Sequence, residues 1–123
     1  MVCSGANGHV LYLHGGGYVF EMGHGHWQLL ATLINRSDAT ATVPLYPLAP
    51  EYTSRDTYSW LLALYKHVCD TLHPENLTIM GDSAGGGMAL LLVQQAVAQG
   101  LPHPNQIPSQ YFSVSTFFAI TLR

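Results

Sequence analysis

Ser83 lies in Gly81-Asp82-Ser83-Ala84-Gly85, directly after the apolar run Leu77-Thr78-Ile79-Met80 and shortly before the helix-forming stretch Met88-Ala89-Leu90-Leu91-Leu92-Val93. A serine set between a strand and a helix and flanked by glycines has the layout of a nucleophile elbow. Such a sharp turn lifts a hydroxyl to the carboxyl edge of a sheet. Glycine is needed on both sides because a turn this tight forces backbone contacts that a side chain would block. Small neighbours also leave Oγ open to a substrate. The chemistry indicated is attack by the Ser83 hydroxyl on an electrophilic carbon.

A second element fits that chemistry. Val10-Leu11-Tyr12-Leu13 is a short apolar run that reads as a buried parallel strand, and it ends in His14-Gly15-Gly16-Gly17. Consecutive glycines can turn backbone N–H groups toward one point without side-chain obstruction. There they would stabilise the negative oxygen that forms when a carbonyl becomes tetrahedral. A phosphate-binding loop would instead require Gly-Lys-Ser/Thr or a spaced Gly-x-Gly-x-x-Gly, and the sequence has neither.

Three blocks, His14-Gly15-Gly16-Gly17, Tyr46-Pro47-Leu48-Ala49-Pro50-Glu51 and Gly81-Asp82-Ser83-Ala84-Gly85-Gly86, follow one another in that order. Together they resemble the signature blocks of the hormone-sensitive-lipase-like carboxylesterases, the fold-3 group of α/β-hydrolases. The likeness covers roughly residues 9 to 104. It implies that Ser83 is the acyl-accepting nucleophile and that Gly16, Gly17 and Ala84 donate the N–H groups of the oxyanion hole. His14 and Gly15 would belong to the oxyanion loop. It further implies a small-molecule carboxylic ester as substrate and no metal or organic cofactor.

The chain departs from that family in its triad. The order in α/β-hydrolases is Ser, then Asp or Glu, then His, yet nothing acidic follows Asp82 and the only later histidine is His103. The tail from 105 to 123 diverges, and the N-terminus opens almost at the third strand of the family fold. The expectation is a single incomplete α/β-hydrolase domain, truncated at both ends, whose acid and base lie elsewhere. The alternative is a catalytically inactive small-molecule binding module of the same fold.

The remaining histidines can be sorted by topology. The helix after Ser83 runs away from the active edge for about 22 Å at 1.5 Å per residue, so His103 falls near the opposite edge. His73 just precedes the third strand and His67 lies late in the preceding helix, which places both on the far side. His14 reads as structural within its loop. His24 and His26 alone stand on the active side. Their His-x-His spacing has no third ligand cluster beside it, so they read as polar loop residues rather than a metal site, with an improvised general base as the lesser option. Asp82 is adjacent to the serine, the wrong geometry for orienting an imidazole, and reads as an acceptor for nearby backbone. Glu51 reads as a loop-fixing acceptor. Tyr18 either lines a substrate pocket or packs.

Positioning these groups requires alternating strands and helices. Strands are expected at 9–13, 40–45 and 77–80, with a possible fourth within 111–120. Helices are expected at about 25–36, 54–72 and from Ser83 to about Gln99. Trp27, Leu30, Leu33 and Ile34 form the inward stripe of the first helix, and Trp60, Leu61, Leu64, Tyr65 and Val68 that of the second, with Ser54 as its N-cap. The fold class is α/β, a doubly wound and mostly parallel sheet of three or four strands. The 123 residues hold 48% hydrophobic and only 9% charged side chains, which suits strands covered on both faces. A net charge of −3 argues against a nucleic-acid partner. No apolar run reaches a membrane span, and no export signal opens the chain, which slightly favours a cytoplasmic setting. Cys3 and Cys69 read as packing residues. Asn35-Arg36-Ser37 and Asn76-Leu77-Thr78 match the glycan-acceptor pattern, which is common by chance.

Overall fold

In the computed structural model, residues 8–72, 77–101 and 118–122 are described, the last five and Leu72 by their backbone alone. The strands are β1 (His9–Leu13), β2 (Thr40–Thr42), β3 (Leu77–Gly81) and β4 (Phe118–Leu122). The helices are α1 (His24–Ser37), α2 (Ser54–Leu72) and α3 (Ala84–Ala98). Strand order is β2-β1-β3-β4. β1 pairs in parallel with β2 and β3, and β4 closes the other side antiparallel to β3.

Helices cover both faces, as a doubly wound sheet demands. Val10 and Tyr12 of β1 pack with Leu30 of α1 and with Ala39 and Ala41 on one face. Leu11 and Leu13 turn the other way and join Leu77 and Ile79 of β3, Leu61, Tyr65 and Val68 of α2, and Met88, Leu92 and Val93 of α3. All five residues of β1 are therefore buried, which explains its unbroken apolar run. The chain leaves β1 toward β2 on one side, whereas β3 lies on the other. The carboxyl ends of β1 and β3 thus flank a switch point of the sheet, the place where open α/β sheets bind ligands.

Four expectations need correction. β2 ends at Thr42 rather than residue 45, because Pro44 cannot donate to the ladder. Trp27 and Trp60, assigned to inward stripes, are 47% and 40% exposed; Leu30, Leu61, Tyr65 and Val68 carry the burial instead. α2 is capped by Thr53, not Ser54: the Asp56 N–H donates to Thr53 Oγ1 at 3.3 Å, while Thr53 N–H donates back to Asp56 Oδ2 at 2.9 Å. This is a capping box with aspartate in the return position, and it holds the exposed Asp56 carboxyl below its usual range through the bonds from Thr53. The fourth strand occupies 118–122, of which only 118–120 fall in the expected span; residues up to 117 lie outside the described ones.

Close packing of backbone on backbone joins β3 and α3 to β1. A methyl group on Gly85 would collide with the Leu13 carbonyl and stand 2.9 Å from the His14 carbonyl carbon. One on Gly81 would strike the backbone of Gly85 and lie 2.6 Å from the Gly86 nitrogen. Gly85→Ala is therefore expected to lower the unfolding free energy by about 3 kcal/mol. Gly25→Ala, in α1 with nothing within 4 Å of the added carbon, should raise it by about 0.5 kcal/mol. Urea denaturation of the two variants distinguishes these outcomes; equal effects would contradict the packing described.

Candidate active site

Ser83 leaves β3 through a single residue, Asp82, and enters α3 at once. Its backbone has φ 51° and ψ −117°, a region that non-glycine residues rarely occupy and that costs on the order of 1–3 kcal/mol. The helix starts immediately beneath it: Gly85 N–H donates to the Asp82 carbonyl at 2.8 Å and Gly86 N–H to the Ser83 carbonyl at 3.0 Å. The Ser83 side chain is exposed and makes no hydrogen bond among the described residues. The Ala84 N–H, pointing out of the first turn, likewise has no acceptor among them.

The glycine loop follows β1 on the adjoining strand. Gly16 has φ 134° and Gly17 φ 62°, a backbone that favours glycine, and Tyr18 follows at φ 66°. A side chain at Gly16 would stand 2.7 Å from the Phe20 carbonyl oxygen. The Gly16 carbonyl accepts from Val19 and Phe20, at 3.1 and 3.0 Å. The N–H groups of Gly16 and Gly17 have no acceptor among the described residues.

Asp82 joins the two turns. Its Oδ1 accepts from Gly15 N–H at 3.0 Å and from the Tyr12 hydroxyl at 2.6 Å. Its Oδ2 accepts from His26 Nε2 at 3.1 Å. His26 Nδ1 in turn accepts the Gly23 N–H at 2.9 Å, which places the imidazole proton on Nε2. Asp82 was expected to accept from the backbone of its own elbow; the backbone N–H it takes is instead that of Gly15, on the neighbouring loop. The expectation that it does not orient an imidazole is corrected, because α1 carries His26 back over the turn. Burial alone would raise the Asp82 carboxyl. The bonds from Tyr12 and Gly15 and the nearby His26 outweigh it and hold the group below the usual carboxylate range.

His14 is fully buried, with Nδ1 donating to the Gly15 carbonyl at 2.7 Å. Its ring stacks on Tyr46 at 4.3 Å between centroids and 16° between planes, and the Tyr46 hydroxyl donates to the His14 carbonyl at 2.5 Å. Burial pushes the His14 imidazole down, so it is neutral near pH 7 and serves the loop's shape. Tyr12 and Tyr46 were not singled out as site residues by the sequence. The one signal available for Tyr46 was its place in the Tyr-Pro-Leu-Ala-Pro-Glu block.

The other sequence candidates separate. His24 opens α1 and is exposed, and His67 lies in α2 beside Thr71. His73 and His103, like Cys3 and Asn76, lie outside the described residues. Cys69 is a buried free thiol. No three metal-ligating side chains gather among the described residues. Tyr18 is 38% exposed, its hydroxyl reaches Tyr58 and the first turn of α3 at Gly87, and it is not among the residues that line the cavity at Glu51. Glu51 is exposed and accepts no hydrogen bond from a described residue, so it does not fix its loop. It lines a cavity of about 620 Å³ together with Val19, Glu21, Leu45, Tyr52 and Trp60. Ser83 is not part of that cavity's lining.

The sequence profile of a family described as alpha/beta hydrolase fold matches residues 10–116. The chain belongs to this family. It is 34% identical over 93 residues to esterase LipU of Mycobacterium tuberculosis, covering 70% of this chain and 29% of that protein. A solved hormone-sensitive lipase from a metagenome library superimposes with a TM-score of 0.73 at 34% identity, covering 80% of this chain and 33% of that one. An esterase/lipase from an uncultured bacterium superimposes with 0.70 at 38% identity, covering 80% and 34%. The chain therefore spans about a third of the length of these relatives.

The Asp82 network carries a pH dependence of definite sign. A carboxyl whose pKa is lowered by folding contributes stability that is present above its unfolded value, near 4, and is lost as pH falls through the lower folded value. Asp82→Asn, which sets an amide N–H against His26 Nε2–H, is expected to cost about 2 kcal/mol at pH 7. The difference between parent and variant should shrink below about pH 4. Urea titrations at several pH values measure it; a difference that grows with acidification would overturn the assignment.

Proposed function

We propose that the protein of which these residues form the catalytic part is a carboxylic ester hydrolase with Ser83 as nucleophile. The reading rests chiefly on one observation. An exposed serine in strained backbone stands at a switch point of the sheet, beside a turn whose Gly16 and Gly17 N–H groups, like that of Ala84, lack any described acceptor.

In the proposed reaction Ser83 Oγ attacks the ester carbonyl as its proton passes to an imidazole. The oxygen that becomes negative takes hydrogen bonds from Gly16, Gly17 and Ala84. Collapse of the tetrahedral species breaks the bond to the alcohol, which leaves with the proton from the imidazolium. Water, deprotonated by the same imidazole, then attacks the acyl-serine and releases the carboxylic acid. No step calls for a metal or an organic cofactor. Among the described histidines His14 is buried against Tyr46, His26 has both nitrogens engaged, and none is hydrogen-bonded to Ser83. The base is assigned to a histidine outside the described residues.

A second reading, a small-molecule binding module that has lost its chemistry, draws on the 620 Å³ cavity away from Ser83. The 123-residue chain is expected to release p-nitrophenol from p-nitrophenyl butyrate only weakly, at most about 10³- to 10⁴-fold over water, the share left to the hole and binding. Ser83→Ala should remove that increment, and a serine-directed phosphonate should label Ser83 alone. Release and labelling unaffected by Ser83→Ala would refute the esterase reading in favour of the binding module.

A further inference from the structure

We propose that His26 is a positioning residue that, through Asp82, clamps the glycine loop at both ends and so aims the Gly16 and Gly17 N–H groups at the oxygen above Ser83. This rests on the ester-hydrolase reading and names a part of its machinery.

The loop from Gly15 to Gly23 connects β1 to α1, and one carboxylate holds both of its ends. Asp82 Oδ1 binds the first residue directly, through Gly15 N–H. Asp82 Oδ2 binds the last through the imidazole, which donates from Nε2 to the carboxylate and accepts from Gly23 N–H at Nδ1. The series Gly15, Asp82, His26, Gly23 closes a ring of hydrogen bonds on the residue that precedes Ser83.

Between these ends the loop is held by few contacts, with Met22 packed against the cluster of Val10, Tyr12 and Leu30. Val19 and Phe20 donate to Gly16, Ala49 N–H donates to the Tyr18 carbonyl, and the Tyr18 hydroxyl reaches Tyr58. Val19 and Phe20 project outward, the latter 72% exposed. A glycine-rich loop loses more conformational freedom on ordering than any other composition. Its shape must therefore be imposed from its ends.

The groups facing His26 are few. They are the Asp82 carboxylate, the Tyr12 ring at 6.5 Å and the His14 ring at 6.0 Å between centroids. The nearby charge is thus the carboxylate itself. Since both ring nitrogens are engaged, the imidazole orients the loop and takes no proton from Ser83.

Two substitutions divide the clamp. Asn in place of His26 puts an oxygen near the Nδ1 position, keeping the Gly23 bond but falling short of Asp82. Gln places an amide N–H near the Nε2 position and keeps the bond to Asp82. Hydrogen exchange at the Gly15 amide and Ser83-dependent release from p-nitrophenyl butyrate are then compared in the 123-residue chain. With His26→Asn, Gly15 exchange should accelerate by about tenfold. Ser83-dependent release should fall by about tenfold at nearly unchanged KM, well within the 10²-fold that a 1 Å misplacement can cost. His26→Gln keeps Asp82 in place but no longer accepts from Gly23, so Gly15 exchange should stay within about threefold of the parent while Ser83-dependent release still falls by about tenfold. Parent-like exchange in His26→Asn, or parent-like release in His26→Gln, would overturn the clamp. If Ser83→Ala leaves release unchanged, the esterase reading fails, and Gly15 exchange alone still decides whether the clamp exists.

Discussion

Gly85 has no side chain, and the carbonyl of Leu13 stands where one would begin. Through this contact the first turn of α3 lies directly against the exit of β1. Two bends from neighbouring parallel strands thereby become one surface. Any side chain at Gly85 would hold them apart by the width of a methyl group, more than a hydrogen bond from Gly15 to Asp82 could span. Gly81 serves the same end within the turn itself, letting α3 fold back on the strand that leads to it. Ser83 takes the strain of this compression, and α3 repays it through Met88, Ala89, Leu92 and Val93 in the main core.

Asp82 supplies the polar counterpart to that contact. A carboxylate with its side chain 22% exposed would ordinarily prefer water. Here three donors from three elements surround it: Tyr12 from β1, Gly15 from the loop and His26 from α1. Each alone is a modest interaction. Together they satisfy the carboxylate where it is ionised, and they leave the N–H groups of Gly16 and Gly17 without an acceptor among the described residues. A second layer beneath repeats the logic, with Tyr46 stacked on His14 and bonded to its carbonyl. The Tyr-Pro-Leu-Ala-Pro-Glu block thus works from below, through its tyrosine, while its Glu51 stays at the rim of a separate cavity.

Much of this architecture was readable from residue order. β1, α2, β3 and α3 lie within a residue or so of their expected bounds, because apolar runs bounded by glycine, proline or polar residues are signals local to the chain. Trp27 and Trp60 misled because helical spacing places them on the inward stripe, yet among the described residues they remain 47% and 40% exposed. Thr53 displaced Ser54 as the cap because Asp56 stands three residues after it and can return the bond. The link between His26 and Asp82 was hidden for a different reason: the two are 56 positions apart and meet only because the first turn of α1 lies near the turn that follows β3.

Composition, motif spacing and strand–helix alternation determined the fold class, the family and the serine that faces solvent, since each depends on short-range sterics that a run of residues carries within itself. Folding in three dimensions decided which groups share a carboxylate, which histidines are spoken for, and which amide hydrogens are left over. Those are properties of contacts between distant segments. The same Asp82 reads as a turn residue in one dimension and as the junction of β1, α1 and β3 in three.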